Sequence, residues 1–111
     1  MSVNDYRTPP LKEAFQVQHG STEHSATFIF GNEDHTLGNA LRHILVERPE
    51  TEFCGYSVPH PYEPKMQIRL QTYPNSLSSL KTLKAGLADL EETANILDDH
   101  FIDALSRFQQ K

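Results

Sequence analysis

A chain of 111 residues with 37% hydrophobic side chains has room for one domain with a thin core, because small domains bury proportionally less surface. Its net charge of -5 leaves no cationic excess to neutralise phosphates, which excludes charge-driven nucleic-acid binding as the main task. A single cysteine, Cys54, excludes an internal disulfide framework and a multi-cysteine zinc module; no apolar run nears the ~18 residues of a membrane span and residues 1–10 hold no signal-peptide core, so a soluble intracellular domain is expected.

Residues 1–13 read as a flexible N-terminal tail, polar and broken by Pro9-Pro10, and residues 14–111 as the single domain. Residues 14–19 place Phe15 and Val17 on one face with Gln16 and Gln18 on the other. Residues 25–31 repeat this pattern with Ala26, Phe28 and Phe30. The polar stretch 20–24 between them completes an antiparallel hairpin. Asp34 or Thr36 then caps a helix whose apolar positions are Leu37, Ala40, Leu41, Ile44 and Leu45, and Pro49 ends it. Residues 53–58 form a strand that runs into a proline-punctuated loop over 59–64. Residues 65–72 are the cleanest strand, with Met66, Ile68 and Leu70 alternating against Lys65, Gln67, Arg69 and Gln71. The remainder is one long helix. The order strand, strand, helix, strand, strand, long helix predicts an α+β fold: a four-stranded antiparallel sheet with two helices packed on one face.

The residues able to carry chemistry form no constellation. Six histidines (19, 24, 35, 43, 60 and 100) include no pair at a spacing that aims two ligands from one helical face, so they read as surface or capping residues. Cys54 reads as a buried structural thiol, and Glu33-Asp34-His35 as a helix start whose acids suit the positive end of the dipole. No catalytic residue, metal or cofactor is expected. A small histidine-dependent enzyme or metal-binding protein stays open as a competing reading that metal analysis would separate.

The long helix is more informative. Leu80, Leu83, Leu87, Leu90, Ala94, Leu97, Phe101, Ala104 and Phe108 alternate steps of three and four, a heptad seam. The seam extends about 42 Å at ~1.5 Å per residue. A domain of this size is only ~30–35 Å across by its expected radius. Either the seam overhangs its own sheet and needs another apolar surface, or the helix bends and stays in the core. Few opposite charges flank the seam: Lys84 and Glu91 stand among Ser79, Gly86 and Thr93. This argues against a free two-stranded coiled coil, although a self-contained homodimer remains open. Gly86 weakens the helix by ~1 kcal/mol relative to alanine.

The stretch Thr36-Leu37-Gly38-Asn39-Ala40-Leu41-Arg42 resembles the alpha motif of RNA polymerase alpha and alpha-like subunits. Glu52-Phe53-Cys54-Gly55-Tyr56-Ser57-Val58-Pro59-His60-Pro61, followed by Ile68-Arg69-Leu70-Gln71-Thr72, is similar to the smaller alpha-like subunits shared by eukaryotic RNA polymerases I and III. The resemblance covers residues 14–108. It implies the alpha-like dimerisation fold and a non-catalytic subunit in the nucleus, including the nucleolus. That subunit pairs with the larger alpha-like subunit to form a platform for the two largest subunits, the second-largest among them. The polymerase II or archaeal equivalent is the alternative, which Cys54-Gly55-Tyr56 argues against. Carried onto this sequence, the resemblance implies a partner interface of Leu37, Gly38, Asn39, Leu41, Arg42, Ile44 and Leu45 on the motif helix. On the long helix it implies Leu80, Leu83, Leu87, Leu90, Ala94, Leu97 and Phe101. Gly38 is expected to admit a second backbone at close range, and Arg42 to offer a bidentate fork to a carboxylate.

Overall fold

The computed structural model describes residues 14–110, so the tail expected over 1–13 lies outside the described residues. The elements follow the expected order: β1 (Phe15–Val17), β2 (Ser25–Gly31), α1 (His35–Val46), β3 (Thr51–Ser57), β4 (Lys65–Thr72) and α2 (Ser79–Gln109). The sheet runs β1-β2-β4-β3 with every neighbour antiparallel. Two hairpins, β1–β2 and β3–β4, are thus joined through β2 and β4, and α1 carries the chain between them.

Period-two alternation sets which face is dry. On β4, Met66, Ile68 and Leu70 are wholly buried, and in register they meet Phe30, Phe28 and Ala26 of β2. These residues join Leu41 and Leu45 of α1, Cys54 of β3 and Leu83 of α2 in one core beneath the two helices. The opposite face carries Gln16, Ser25, Thr27, Gln67, Arg69 and Gln71 and no helix.

Two strand boundaries differ from expectation. β3 starts at Thr51 rather than at residue 53, because Thr51 pairs with Thr72 across a bulge and the Tyr73 N–H donates to the Glu50 carbonyl at 3.1 Å. Apolar patterning misses this polar start. β1 is regular only over three residues, although ladder bonds flank it: Gly31 N–H to the Ala14 carbonyl (2.9 Å) and Gln18 N–H to the Thr27 carbonyl (2.8 Å). Gly20, at φ 91, makes the turn that no side chain would favour.

Both helices start on a side-chain cap. The Asp34 carboxylate accepts from the Thr36 N–H at 3.0 Å, and the Ser78 hydroxyl accepts from the Lys81 N–H at 3.3 Å. The Ser79 hydroxyl donates to the Leu70 carbonyl at 3.1 Å and pins the start of α2 to the end of β4. Arg48, just past α1, donates to Glu50 at 2.9 Å and to Asp89 at 2.6 Å, tying the end of α1 to the residue before β3 and to α2.

Two glycines set how closely the layers approach. A Cβ on Gly86 would overlap the Leu45 side chain, so this glycine lets α2 cross α1. Its role is packing, which outweighs the propensity it costs the helix. A Cβ on Gly38 would stand 2.5 Å from Cδ2 of Tyr56. The space beside Gly38 is therefore filled by a ring of this chain's own sheet. The expectation that a partner's backbone approaches there is corrected: the close approach is internal.

Candidate partner interface

The second half of α2 leaves the body of the domain. Its 31 residues extend about 46 Å at ~1.5 Å per residue. Its buried positions, Ser79, Thr82, Leu83 and Gly86, all lie in the first eight residues. Leu90 still packs partly against the core, but every residue from 91 to 109 is exposed. The overhang anticipated from the seam is therefore present, and the bent core helix is not. Leu97 is 70% exposed, Phe101 62% and Phe108 71%, with Leu105 beside them. Such large side chains, aligned on the face that is buried in the first half of the helix, form a stripe that water covers at a cost of ~25 cal/mol per Å².

The stripe runs into a groove at its inner end. Phe15, Phe30, Leu80, Leu83, Lys84 and Leu87 line a depression of about 380 Å³ between β1 and α2. A neighbouring hollow of about 300 Å³ continues it along Val17, Ala26, Phe28 and Leu80. Phe15 stacks on Phe28 with centroids 5.8 Å apart and meets Phe30 edge-on at 5.2 Å. The ring therefore extends the core outward instead of closing it. α1 covers β3 and β4, and α2 crosses β4 with little cover for β2. The β1 side of the helical face is left open.

The expected interface residues divide into two groups. Leu41, Leu45 and Leu83 are at most 2% exposed and belong to this chain's core. Their placement on a contact face is corrected, because α1 turns its apolar face onto the sheet. Gly38 is buried against Tyr56. Leu37 and Leu90 are partly buried on the rim of the core, and Ile44 is half-buried. Asn39 is exposed and accepts from the half-buried Arg42 at 2.9 Å, so the guanidinium is held on the surface of α1. Leu80, Leu87, Ala94, Leu97 and Phe101 are exposed and are brought together along one face of α2. Phe15, Val17 and Phe30 were not singled out from the sequence. The sequence marks them only as the apolar face of a hairpin; the strand order, which puts β1 at an edge of the sheet, is what leaves that edge uncovered.

Cys54 is buried, and desolvation pushes its thiol up to about 11 against a small opposing pull from Arg42. Burial thus favours the protonated thiol at neutral pH. His35 reaches the Tyr56 hydroxyl at 3.1 Å and His24 the Thr72 hydroxyl at 2.9 Å, so both serve to join elements. Among the described residues, no group of three His, Cys, Asp or Glu side chains could hold a metal, and no helix is long and apolar enough to cross a membrane.

An open sheet with two helices on one face, one of them projecting an apolar stripe, defines a module built to be completed by another chain. Residues 25–100 match the family model described as the RNA polymerase Rpb3/Rpb11 dimerisation domain, and the chain belongs to this family. It is 45% identical over 89 residues to DNA-directed RNA polymerases I and III subunit RPAC2 of Schizosaccharomyces pombe, covering 80% of this chain and 70% of that protein. With the Saccharomyces cerevisiae protein of the same name it shares 43% over 81 residues, 73% of this chain and 56% of the other. The fold is that of DNA-directed RNA polymerase subunit L from Thermoplasma acidophilum, at a TM-score of 0.72 and 20% identity, covering 87% of this chain and 93% of that one.

Proposed function

We propose that this chain is a non-catalytic assembly subunit of DNA-directed RNA polymerases I and III. It pairs one-to-one with the larger alpha-like subunit, and the pair forms the platform on which the two largest subunits assemble. It thereby serves rRNA, 5S rRNA and tRNA transcription in the nucleus, including the nucleolus. The observation that carries this reading is the exposed stripe of Leu97, Phe101 and Phe108 running into the groove at Phe15 and Leu87, on a chain of the dimerisation family. Relatives named for polymerases I and III support this assignment over the polymerase II or archaeal equivalent.

The contact surface consists of the exposed α2 residues Leu80, Leu87, Ala94, Leu97 and Phe101. Leu37, Ile44, Leu90, Asn39 and Arg42 form its flank on the half-buried side. Leu41, Leu45 and Leu83 support it from within at the crossing of α1 and α2, and Gly38 does so by seating α1 against Tyr56 of β3. The test is coexpression with the larger alpha-like subunit. The expected result is a soluble 1:1 complex for the wild-type chain and its loss in a Leu97→Asp, Phe101→Asp variant whose circular dichroism is unchanged. A chain that elutes as a monomer beside that subunit, without complex, overturns the assignment.

A further inference from the structure

The four strands do not share the acidic excess of the chain. Overall, 15 acidic residues outnumber 10 basic ones. Within β1–β4, however, the charged residues are Lys65, Arg69 and the single acid Glu52, which sits in the β3 bulge. Lys65 is taken by Glu63 at 3.2 Å. Arg69 is exposed in the middle of the face, and among the described residues its partners are neutral: it donates to the Thr27 hydroxyl at 3.2 Å and to the Ser25 hydroxyl. These two hydroxyls hold the guanidinium in place without neutralising it.

Arg69 borders a shallow depression of about 270 Å³, whose other walls include Thr27, Gly55, Gln67 and Phe53. The Phe53 ring is 50% exposed and lies over Gly55, whose missing Cβ would stand 3.1 Å from Cζ. A planar cation held in place, an exposed ring beside it and glutamine amides around both suit a carboxylate side chain with its aliphatic stem. A single free cation cannot follow a phosphate backbone on a chain of net charge -5.

We infer that this face is a second docking surface, on which an acidic segment of a neighbouring polymerase subunit lies across β2 and β4 with an Asp or Glu carboxylate on Arg69. It rests on the assembly reading above. The surface is distinct from the apolar one, since it lies on the other side of the sheet.

The experiment places a photo-crosslinking amino acid at Gln71 of the tagged full chain, in cells that assemble the polymerases, and maps the crosslinks by mass spectrometry. The expected crosslink falls on a protein segment with Asp or Glu within about three residues. It is retained in Arg69→Lys and reduced at least about tenfold in Arg69→Glu, since like charges placed face to face oppose association strongly. The inference is overturned if the assembled complex gives no crosslink from this position. It is equally overturned if the crosslinks fall on nucleic acid or on segments without acids, or if Arg69→Glu leaves them unchanged. The wild-type crosslink decides the chemistry of the occupant even if Arg69→Glu does not accumulate. If the tagged chain brings down no polymerase subunit, the assembly reading itself has failed. If it brings them down but crosslinks otherwise, only the second surface has.

Discussion

At the residue scale, two positions without side chains decide how this fold closes. Gly38 faces the Tyr56 ring and Gly86 faces Leu45, and neither contact leaves room for a methyl group. Gly86→Ala therefore gains helix propensity yet forces α2 away from α1. The expected result is a net loss of about 1–3 kcal/mol, the usual cost of overpacking a filled core, read from denaturant midpoints. A stabilised Gly86→Ala chain would contradict the close crossing. Cys54 gives an independent check on the same core. Burial raises its thiol from 9.0 to about 11, so the folded chain holds a proton that the unfolded chain gives up first. The stabilisation is complete below about pH 9 and is lost as the pH rises from 9 towards 11. Folded wild-type protein at neutral pH is expected to resist iodoacetamide, whereas denatured protein alkylates, and Cys54→Ala should flatten the alkaline fall in stability.

At the element scale, α2 is two helices in one. Its first eight residues supply Ser79, Thr82, Leu83 and Gly86 to the core, and its last nineteen positions are exposed on every side. The two halves should answer differently to the same substitution. Leu83→Ala is expected to cost about 2–5 kcal/mol of stability, the range for a fully buried leucine. Leu97→Ala should leave the denaturation midpoint of the isolated chain within error and weaken the complex instead. The heptad spacing made the whole helix and its stripe legible in advance, as alternation did for β4. Spacing could not tell which leucines the chain's own sheet would consume, because Leu41, Leu45 and Leu83 look like Leu80 and Leu97 in a periodic pattern. Burial depends on the crossing of α1 with α2, set by Gly86 and by the Arg48 link to Glu50 and Asp89, contacts distant in sequence. The groove at Phe15 was hidden for the same reason: only the strand order β1-β2-β4-β3 shows that no helix covers that edge.

At the scale of the whole molecule, a thin core and a projecting apolar helix belong to one strategy. On the function proposed above, the domain leaves part of its hydrophobic burial to be made between chains, which links its stability to the partner by mass action. Residues 91–109 are all exposed. Segments of that length are marginal helices in water unless a face is buried, since nucleation is unfavourable and most helical stability in proteins comes from packing. Amide hydrogen exchange of the free chain should therefore show fast exchange over 91–109 and slow exchange over Met66–Leu70 and α1. Adding the larger alpha-like subunit should slow exchange across Ala94, Leu97 and Phe101 far more than within the core strands. The midpoint of thermal unfolding should rise with partner concentration. If the far half of α2 is already as protected in the free chain as β4, the helix is stable by itself and does not depend on a partner for its order. If protection appears on complex formation but falls on α1 alone, the partner sits against the motif helix and the exposed stripe of α2 is not the surface it covers.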